Sequence, residues 1–174
     1  MRAQPPKPKA TWRALSTHDL TSLLHTADTI HSSLPESRQV FAERLSLYPN
    51  GCFALVNPKS NEFYGYIISH PIKRRQPPGL DSLLGQIAPD AEQYYIHDLA
   101  ILPEARGCGY AREGVERVLG VAERGGFGEC CAVAVYGTKG FWERWGFKSV
   151  EVGKELEMKV RSYGDDATFL ERRK

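Results

Sequence analysis

One stretch limits the possible folds more than any other: Tyr94–Leu102, which ends in the apolar run Leu99-Ala-Ile-Leu102 and is followed by Pro103, a glycine-rich loop and a helical repeat. Near-continuous apolar character over a strand's length marks a strand buried on both faces, and proline ends it. Ala111, Val115, Val118, Leu119 and Ala122 recur at helical spacing, and Gly125-Gly126 closes that helix. Cys130-Cys-Ala-Val-Ala-Val135 is a second apolar strand. Strand, helix and strand in this order form a parallel βαβ unit with a right-handed crossover, which places the chain in the α/β class.

The flanking residues extend a sheet around this unit. Thr11–Ser16 reads as a first strand, and Thr17 as the cap of a helix with Leu20, Leu23, Leu24, Ala27 and Ile30 on one stripe. A second helix is predicted from Pro35 or Glu36 to Leu47, stopped by Pro49-Asn50-Gly51. Cys52–Val56 and Glu62–Ser69 form a hairpin about the turn residues Asn57–Asn61. The stretch from Pro71 to Glu92 holds four of the chain's eleven prolines, with Leu80, Leu83 and Leu84 pointing to a helical turn inside it. A short helix over Thr138–Trp145 and strands over Phe147–Val152 and Thr168–Arg172 complete the order β-α-α-β-β-β-α-β-α-β-β.

Composition narrows the classes of function. The 174 residues, 41% hydrophobic and 25% charged, suit one domain with a substantial core. Lys plus Arg (23) nearly balance Asp plus Glu (21), so no bulk field points to nucleic acid or to a membrane surface. No apolar run reaches the roughly 20 residues of a membrane span. Met1–Ala10, with its prolines and lysines, lacks the apolar core of a secretory signal and reads as a flexible tail. Cys52, Cys108, Cys130 and Cys131 show neither zinc-ligand spacing nor the density of a disulfide scaffold. Reduced thiols, no metal and a cytoplasmic setting, with the nucleus also open, are the resulting expectations.

Arg106-Gly-Cys-Gly-Tyr-Ala111 sits where a strand hands over to a helix. Glycines there allow a tight turn whose N–H groups converge, and the helix N-terminus adds partial positive charge. Such a nest suits a pyrophosphate, although Gly-x-Gly also serves as a plain turn. A Walker loop would need Gly-Lys-Ser/Thr where Tyr110-Ala-Arg112 stands, and a dinucleotide fingerprint would need glycine at Arg112.

The whole segment Leu99-Ala-Ile-Leu-Pro-Glu-Ala-Arg-Gly-Cys-Gly-Tyr-Ala111 resembles the signature of the GNAT superfamily of N-acetyltransferases, Gln/Arg-x-x-Gly-x-Gly/Ala, with Arg106, Gly109 and Ala111 in its fixed places. Phe141-Trp-Glu-Arg-Trp-Gly-Phe147 is similar to that superfamily's Phe-Tyr-x-x-x-Gly-Phe block. The resemblance covers the chain from Thr11 onward. It implies a single N-acetyltransferase domain over residues 11–174, with a mixed, mostly antiparallel sheet, a central parallel βαβ unit splayed around acetyl-CoA, and helices on both faces. By the same resemblance, the loop Arg106 to Ala111 binds the cofactor, and backbone amides of Gly107, Cys108, Gly109, Tyr110 and Ala111 grip its pyrophosphate. Leu99, Ala100 and Ile101 pair with the pantetheine arm, the Leu99 amide holds the oxyanion, and Phe141 and Trp142 flank the cofactor.

The implied reaction moves an acetyl group from acetyl-CoA, a co-substrate, to a primary amine by direct attack through a tetrahedral intermediate. An amine of pKa near 10.4 costs roughly 4–5 kcal/mol to deprotonate at neutral pH, so a base is wanted. Strand alternation puts Tyr95, His97 and Leu99 on one face and Asp98 on the other. His97 is therefore the candidate base, the alternative being a core or anchoring histidine. His18, His25, His31 and His70 carry no motif and read as solvated. Trp142 stands where many family members have a Tyr that protonates the leaving thiolate, and an indole does not supply that proton. Tyr136 and Tyr95 are the substitute acids, or else packed aromatic area. Cys108 occupies a variable place in the signature and reads as a bystander. Asp81, Asp90 and Glu92 near the long loop offer acidic charge to a cationic amine. The acceptor is a small molecule, a polyamine or a protein amine, and the chain a monomer or homodimer. A different class of function, a non-catalytic acyl-CoA binding or sensing module, is motivated by Trp142.

Overall fold

The computed structural model describes residues 6–174. Its elements, apart from short 3-10 turns, are β1 (Thr11–Ala14), α1 (Leu20–Ile30), α2 (Arg38–Leu47), β2 (Cys52–Val56), β3 (Phe63–Ile72), β4 (Gln93–Ile101), α3 (Tyr110–Arg124), β5 (Glu129–Ala134), α4 (Lys139–Glu143), β6 (Lys148–Ser149), α5 (Lys154–Arg161) and β7 (Thr168–Arg173). All seven strands join one sheet in the order β1-β2-β3-β4-β5-β7-β6. The β4–β5 pair is parallel and the others are antiparallel. The class expected from the sequence, a mixed and mostly antiparallel sheet around a parallel βαβ unit with helices on both faces, is the one observed. Among the described residues no helix is long and apolar enough to cross a membrane.

The periodicity of α3 explains how it sits. Val115, Val118, Val121 and Ala122 lie on one side of the helix and are buried in the cluster that covers one sheet face. Burying each valine contributes about 1.5–3 kcal/mol. Gly114 is needed there, because a Cβ would come within 2.7 Å of the Trp12 ring. Trp12 Nε1 in turn donates to Tyr110 O at 2.9 Å, so β1 pins the start of α3. The Tyr110 hydroxyl accepts from Ala10 N and donates to Pro8 O, both at 2.9 Å. Residues 1–5 of the segment read as a tail lie outside the described residues. On the opposite face α1 and α2 cover β2 and β3, and α5 covers β5 and β7.

The feature that shapes the centre is a bulge in β4. Its ladder with β3 runs from Ile72↔Gln93 to Ser69↔Ile96 and resumes at Ile68↔Asp98, so His97 is an extra residue with no partner on β3. The bulge reverses the alternation. Tyr94 and Ile96 before it and Leu99 and Ile101 after it all pack on the α3 side, whereas Tyr95 and Ala100 face the other helices. Tyr95, His97 and Leu99 therefore do not share a face as regular alternation requires, and Leu99 is the one displaced. Parallel pairing with β5 covers only Tyr94↔Cys130, Tyr95↔Cys131 and Ile96↔Ala132, and beyond the bulge the two strands part.

Other expectations change in detail. A 3-10 turn over Thr17–Asp19 precedes α1, and α2 begins at Arg38, later than Pro35 or Glu36. The long loop contains no helical turn at Leu80–Leu84. The strand expected over Phe147–Val152 shrinks to Lys148–Ser149, and α5 follows it unforeseen. Only Leu156 and Val160 of α5 are buried, a stripe too thin to stand out, although Glu155 and Glu157 in its first turn and Lys159 and Arg161 in its last suit a helix dipole.

Candidate active site

The loop before α3 is held open by its glycines. Gly107 and Gly109 adopt φ of 77° and 84°, left-handed values that disfavour any side chain. Chain neighbours aside, a Cβ at either would meet no atom of the described residues within 4 Å, so the space above the loop is free. Gly109 caps α3 without a side-chain hydrogen bond, and the first helical bond, Glu113 N to Gly109 O, spans 3.1 Å. Amides earlier in that turn have no helical acceptor and stand ready for an anion. Arg106 anchors the loop, donating from Nε to Ile101 O at 2.9 Å.

A groove of about 480 Å³ runs from this loop to the parted strands. Leu99, Ala100, Ile101, Arg106, Gly107, Gly109, Tyr110, Ala111 and Phe141 line it, which brings together most of the residues expected to bind cofactor. Cys108 and Trp142 are outside that lining; Cys108 Sγ lies 3.8 Å from Arg106 O. Leu102 N donates to Tyr64 O at 2.8 Å, so that amide points toward β3. By alternation the amides of Ile101 and Leu99 point the other way, toward the parted edge.

A second cavity, about 120 Å³, adjoins the groove. The two share His31, Leu99, Tyr136, Thr138 and Phe141. Tyr136, with φ of 52°, reaches from the end of β5 to the α1–α2 connection. Its ring stacks on His31 with centroids 5.7 Å apart and planes 7° from parallel, and its hydroxyl bonds Ser33 Oγ at 2.7 Å. Left-handed backbone at a non-glycine residue costs of order 1–3 kcal/mol, and it is found here at the junction of the cavities.

Two histidine–acid pairs form the polar wall. His97 Nε2 lies 2.8 Å from Glu36 Oε1, with side chains 1% and 7% exposed. Glu36 Oε2 also accepts from Asp81 N at 3.1 Å, and Asp81 Oδ1 accepts from Ser37 N at 2.7 Å. His31 Nε2 lies 2.8 Å from Asp98 Oδ1, and the Tyr66 hydroxyl donates to Asp98 Oδ2 at 2.5 Å. Burial alone pushes Asp98 up, yet the His31 charge and these bonds outweigh it and hold Asp98 below its ordinary range. Burial likewise pushes His31 down, and Asp98 overcomes it, so His31 is raised. His70, fully buried, is pressed to about 3 by burial and then by neighbouring His97, and stays neutral.

The profile of the Acetyltransferase (GNAT) family matches residues 17–147. The chain belongs to that family. No curated protein sequence matches it. Among solved structures, the loading GNATL domain of CurA from Lyngbya majuscula superposes with a TM-score of 0.75 at 14% identity, over 95% of this chain and 98% of that one. The NatC complex bound to Gag peptide and CoA gives 0.70 at 19% identity, over 95% and 99%. Naa50 of Arabidopsis thaliana, in complex with the bisubstrate analogue CoA-Ac-MVNAL, gives 0.68 at 13% identity, over 95% and 99%. At such identities these likenesses concern the fold.

Within this GNAT fold the catalytic candidates are distributed unevenly. His97, Tyr95 and Tyr136 all line the smaller cavity, and of the three only Tyr136 also lines the groove. Trp142 is 7% exposed and packs edge-on against Phe141 and Phe147, at 5.1 and 5.4 Å between centroids. Nothing in its sequence context marks Glu36, and Asp98, expected on the face away from His97, lines the same cavity as His97 because of the bulge. Contrary to the expectation of solvated positions, the His31 side chain is only 15% exposed and His70 is fully buried, whereas His18 and His25 are exposed. Asp81 is engaged with Ser37 and Asp90 with Lys73 at 3.0 Å, so neither is a free acid awaiting an amine. Among the described residues no cluster of His, Cys, Asp and Glu is fit to hold a metal ion.

Proposed function

We propose that the protein transfers an acetyl group from acetyl-CoA to a primary amine. The observation that carries the reading is the junction: a groove ending on an uncapped helix N-terminus meets a cavity with buried histidine–acid pairs where β4 and β5 part. Acetyl-CoA is the donor substrate. The amides of Gly107 to Ala111 take its pyrophosphate, and Leu99 to Ile101 take the pantetheine arm as a strand edge. The Leu99 amide then faces the thioester oxygen and stabilises the oxyanion as the amine attacks; removal of such a donor typically costs about 10²–10³ in rate.

His97 is the base in this reading. With its Nε2 proton held by Glu36, Nδ1 keeps a lone pair, and no group among the described residues occupies it. That nitrogen takes the proton from the ammonium, directly or across one water. The carbon–sulfur bond breaks as the tetrahedral intermediate collapses, and the thiolate needs a proton. Tyr136 is assigned as that donor because it borders both cavities, unlike Tyr95.

Free thiol followed in a mixture of protein, acetyl-CoA and a panel of primary amines tests the proposal. Release above the amine-free rate with at least one amine is expected. Tight binding of acetyl-CoA with no release from any amine overturns it in favour of the sensing module, the reading that Trp142 in the usual acid position favours. The NatC complex carries Gag peptide and the Naa50 complex the bisubstrate analogue CoA-Ac-MVNAL, so peptides with free N-termini belong in the panel.

A further inference from the structure

The Tyr95 hydroxyl oxygen is buried and accepts no hydrogen bond from the described residues, although it belongs to a fully buried side chain that lines the smaller cavity. Tyr163, whose own proton is committed to Pro78 O at 2.9 Å, stands close enough for its oxygen to accept from Tyr95, which leaves the lone pairs of the Tyr95 oxygen without a donor. Buried polar atoms are almost always satisfied, and lone pairs left over beside a cavity are kept for what fills it. Around it the surface is apolar, with Leu34, Leu80, Val133 and the Tyr163 ring. The cavity, about 120 Å³, is close to the size that accommodates one benzene-sized molecule.

Charge narrows the ligand further. Among the described residues no Lys or Arg lines this cavity, and both of its acids are already paired with imidazoles. A carboxylate brought in by an amino acid would find no cation, and a second ammonium would find no free acid. A neutral donor, such as a hydroxyl, suits the open lone pairs of the Tyr95 oxygen.

Resting on the acetyl-transfer reading, we propose that Tyr95 determines acceptor specificity. Its hydroxyl bonds a neutral hydroxyl on a small primary amine whose nitrogen lies toward His97. The acceptor is thus an amino alcohol, not a polyamine, a free amino acid or a purely aliphatic amine.

The test uses the full chain and a chain-length series of amino alcohols, each beside the amine in which methyl replaces hydroxyl. The wild type should favour the best amino alcohol over its methyl partner by about 10-fold or more in kcat/KM. In Tyr95→Phe that ratio should fall to about 2 or less. A wild-type ratio near one, or a ratio unchanged in Tyr95→Phe while both rates drop together, overturns the assignment and makes Tyr95 structural. If Tyr95→Phe does not fold, the wild-type ratio still decides. Calorimetric binding of the same pairs to protein saturated with CoA separates the two proposals: absent thiol release defeats acetyl transfer, whereas equal binding of alcohol and methyl partner defeats the role of Tyr95.

Discussion

The groove and the cavity meet at Leu99 and Tyr136, but different materials build them. The groove is backbone: two left-handed glycines, a helix start without a side-chain cap and a strand edge with unpaired amides, all within residues 99–111. The cavity is side chains from distant places: Glu36 precedes α2, His31 ends α1, His97 sits in a bulge and Tyr163 follows α5. Backbone presented this way recognises a group common to all donors and tolerates change in side chains. Paired buried side chains set charge, size and protonation, and so carry selectivity and stability together. Damage to the groove should therefore appear as lost cofactor affinity without a change in pH dependence, and damage to the cavity as altered chemistry, pH dependence and folding stability.

The largest effect is expected at the proposed base. His97→Ala should lower kcat/KM by about 10³ at pH 7. The loss should shrink by pH 9, where more of the amine is already free, and the affinity for CoA should stay within about 2-fold since His97 does not border the groove. Rate profiles from pH 6 to 9 decide it, and an equal loss at every pH removes His97 from the proton path.

Asp98→Asn probes whether the cavity also holds the fold together. His31 is raised from its ordinary 6.5, so its contribution is complete below that value and fades as pH climbs through the raised one. Asp98 is lowered from 3.8, so its contribution is complete above that value and fades as pH falls through the lowered one. The pair acts at full strength between those two ordinary values. There Asp98→Asn should cost about 3 kcal/mol, or about 6–12 °C in Tm, with the gap narrowing toward pH 9. Thermal melts across that range check it; a gap that widens with pH contradicts the pairing.

Gly109→Val makes the opposite prediction for the groove. Valine resists the left-handed backbone at 84°, and its side chain enters the free space above the loop. Losing one or two charge-assisted amide bonds to the pyrophosphate should weaken CoA binding by about 10²-fold. The pH dependence of stability should follow the wild type. Calorimetry and melts together test the separation, and undiminished affinity would move the pyrophosphate off this loop.

The same contrast explains what the sequence discloses. The groove is legible because its parts are contiguous and each residue type has a local reason: Pro103 stops a strand, Gly107 and Gly109 turn the chain, and Val115 and Val118 orient the helix. The cavity is hidden for the converse reason. Glu36 and His97 are 61 positions apart and nothing in either neighbourhood marks their pairing. The bulge at His97 has no compositional signature either, since neither Gly nor Pro flanks it, and yet it moves Leu99 to the other face. His31 looked solvated because the end of a helix is usually exposed; the acid that draws it inward lies on a strand that only the fold brings near.

The smallest effect is expected where the two regions touch. Tyr136→Phe keeps the ring that stacks on His31 and removes the hydroxyl that bonds Ser33. If that hydroxyl protonates the leaving thiolate, the penalty is bounded by releasing a thiol of pKa near 8.5 as its anion, about 2 kcal/mol at pH 7, and partial help from solvent brings the loss in kcat to about 10-fold. The loss should vanish near pH 9, where the thiolate is the stable form, and a better leaving thiol should restore kcat at pH 7. Single-turnover rates with acetyl-CoA and an acetyl-thioester of lower thiol pKa measure both. A loss independent of pH and leaving group means that Tyr136 works through its contact with Ser33, holding the junction in shape without moving a proton.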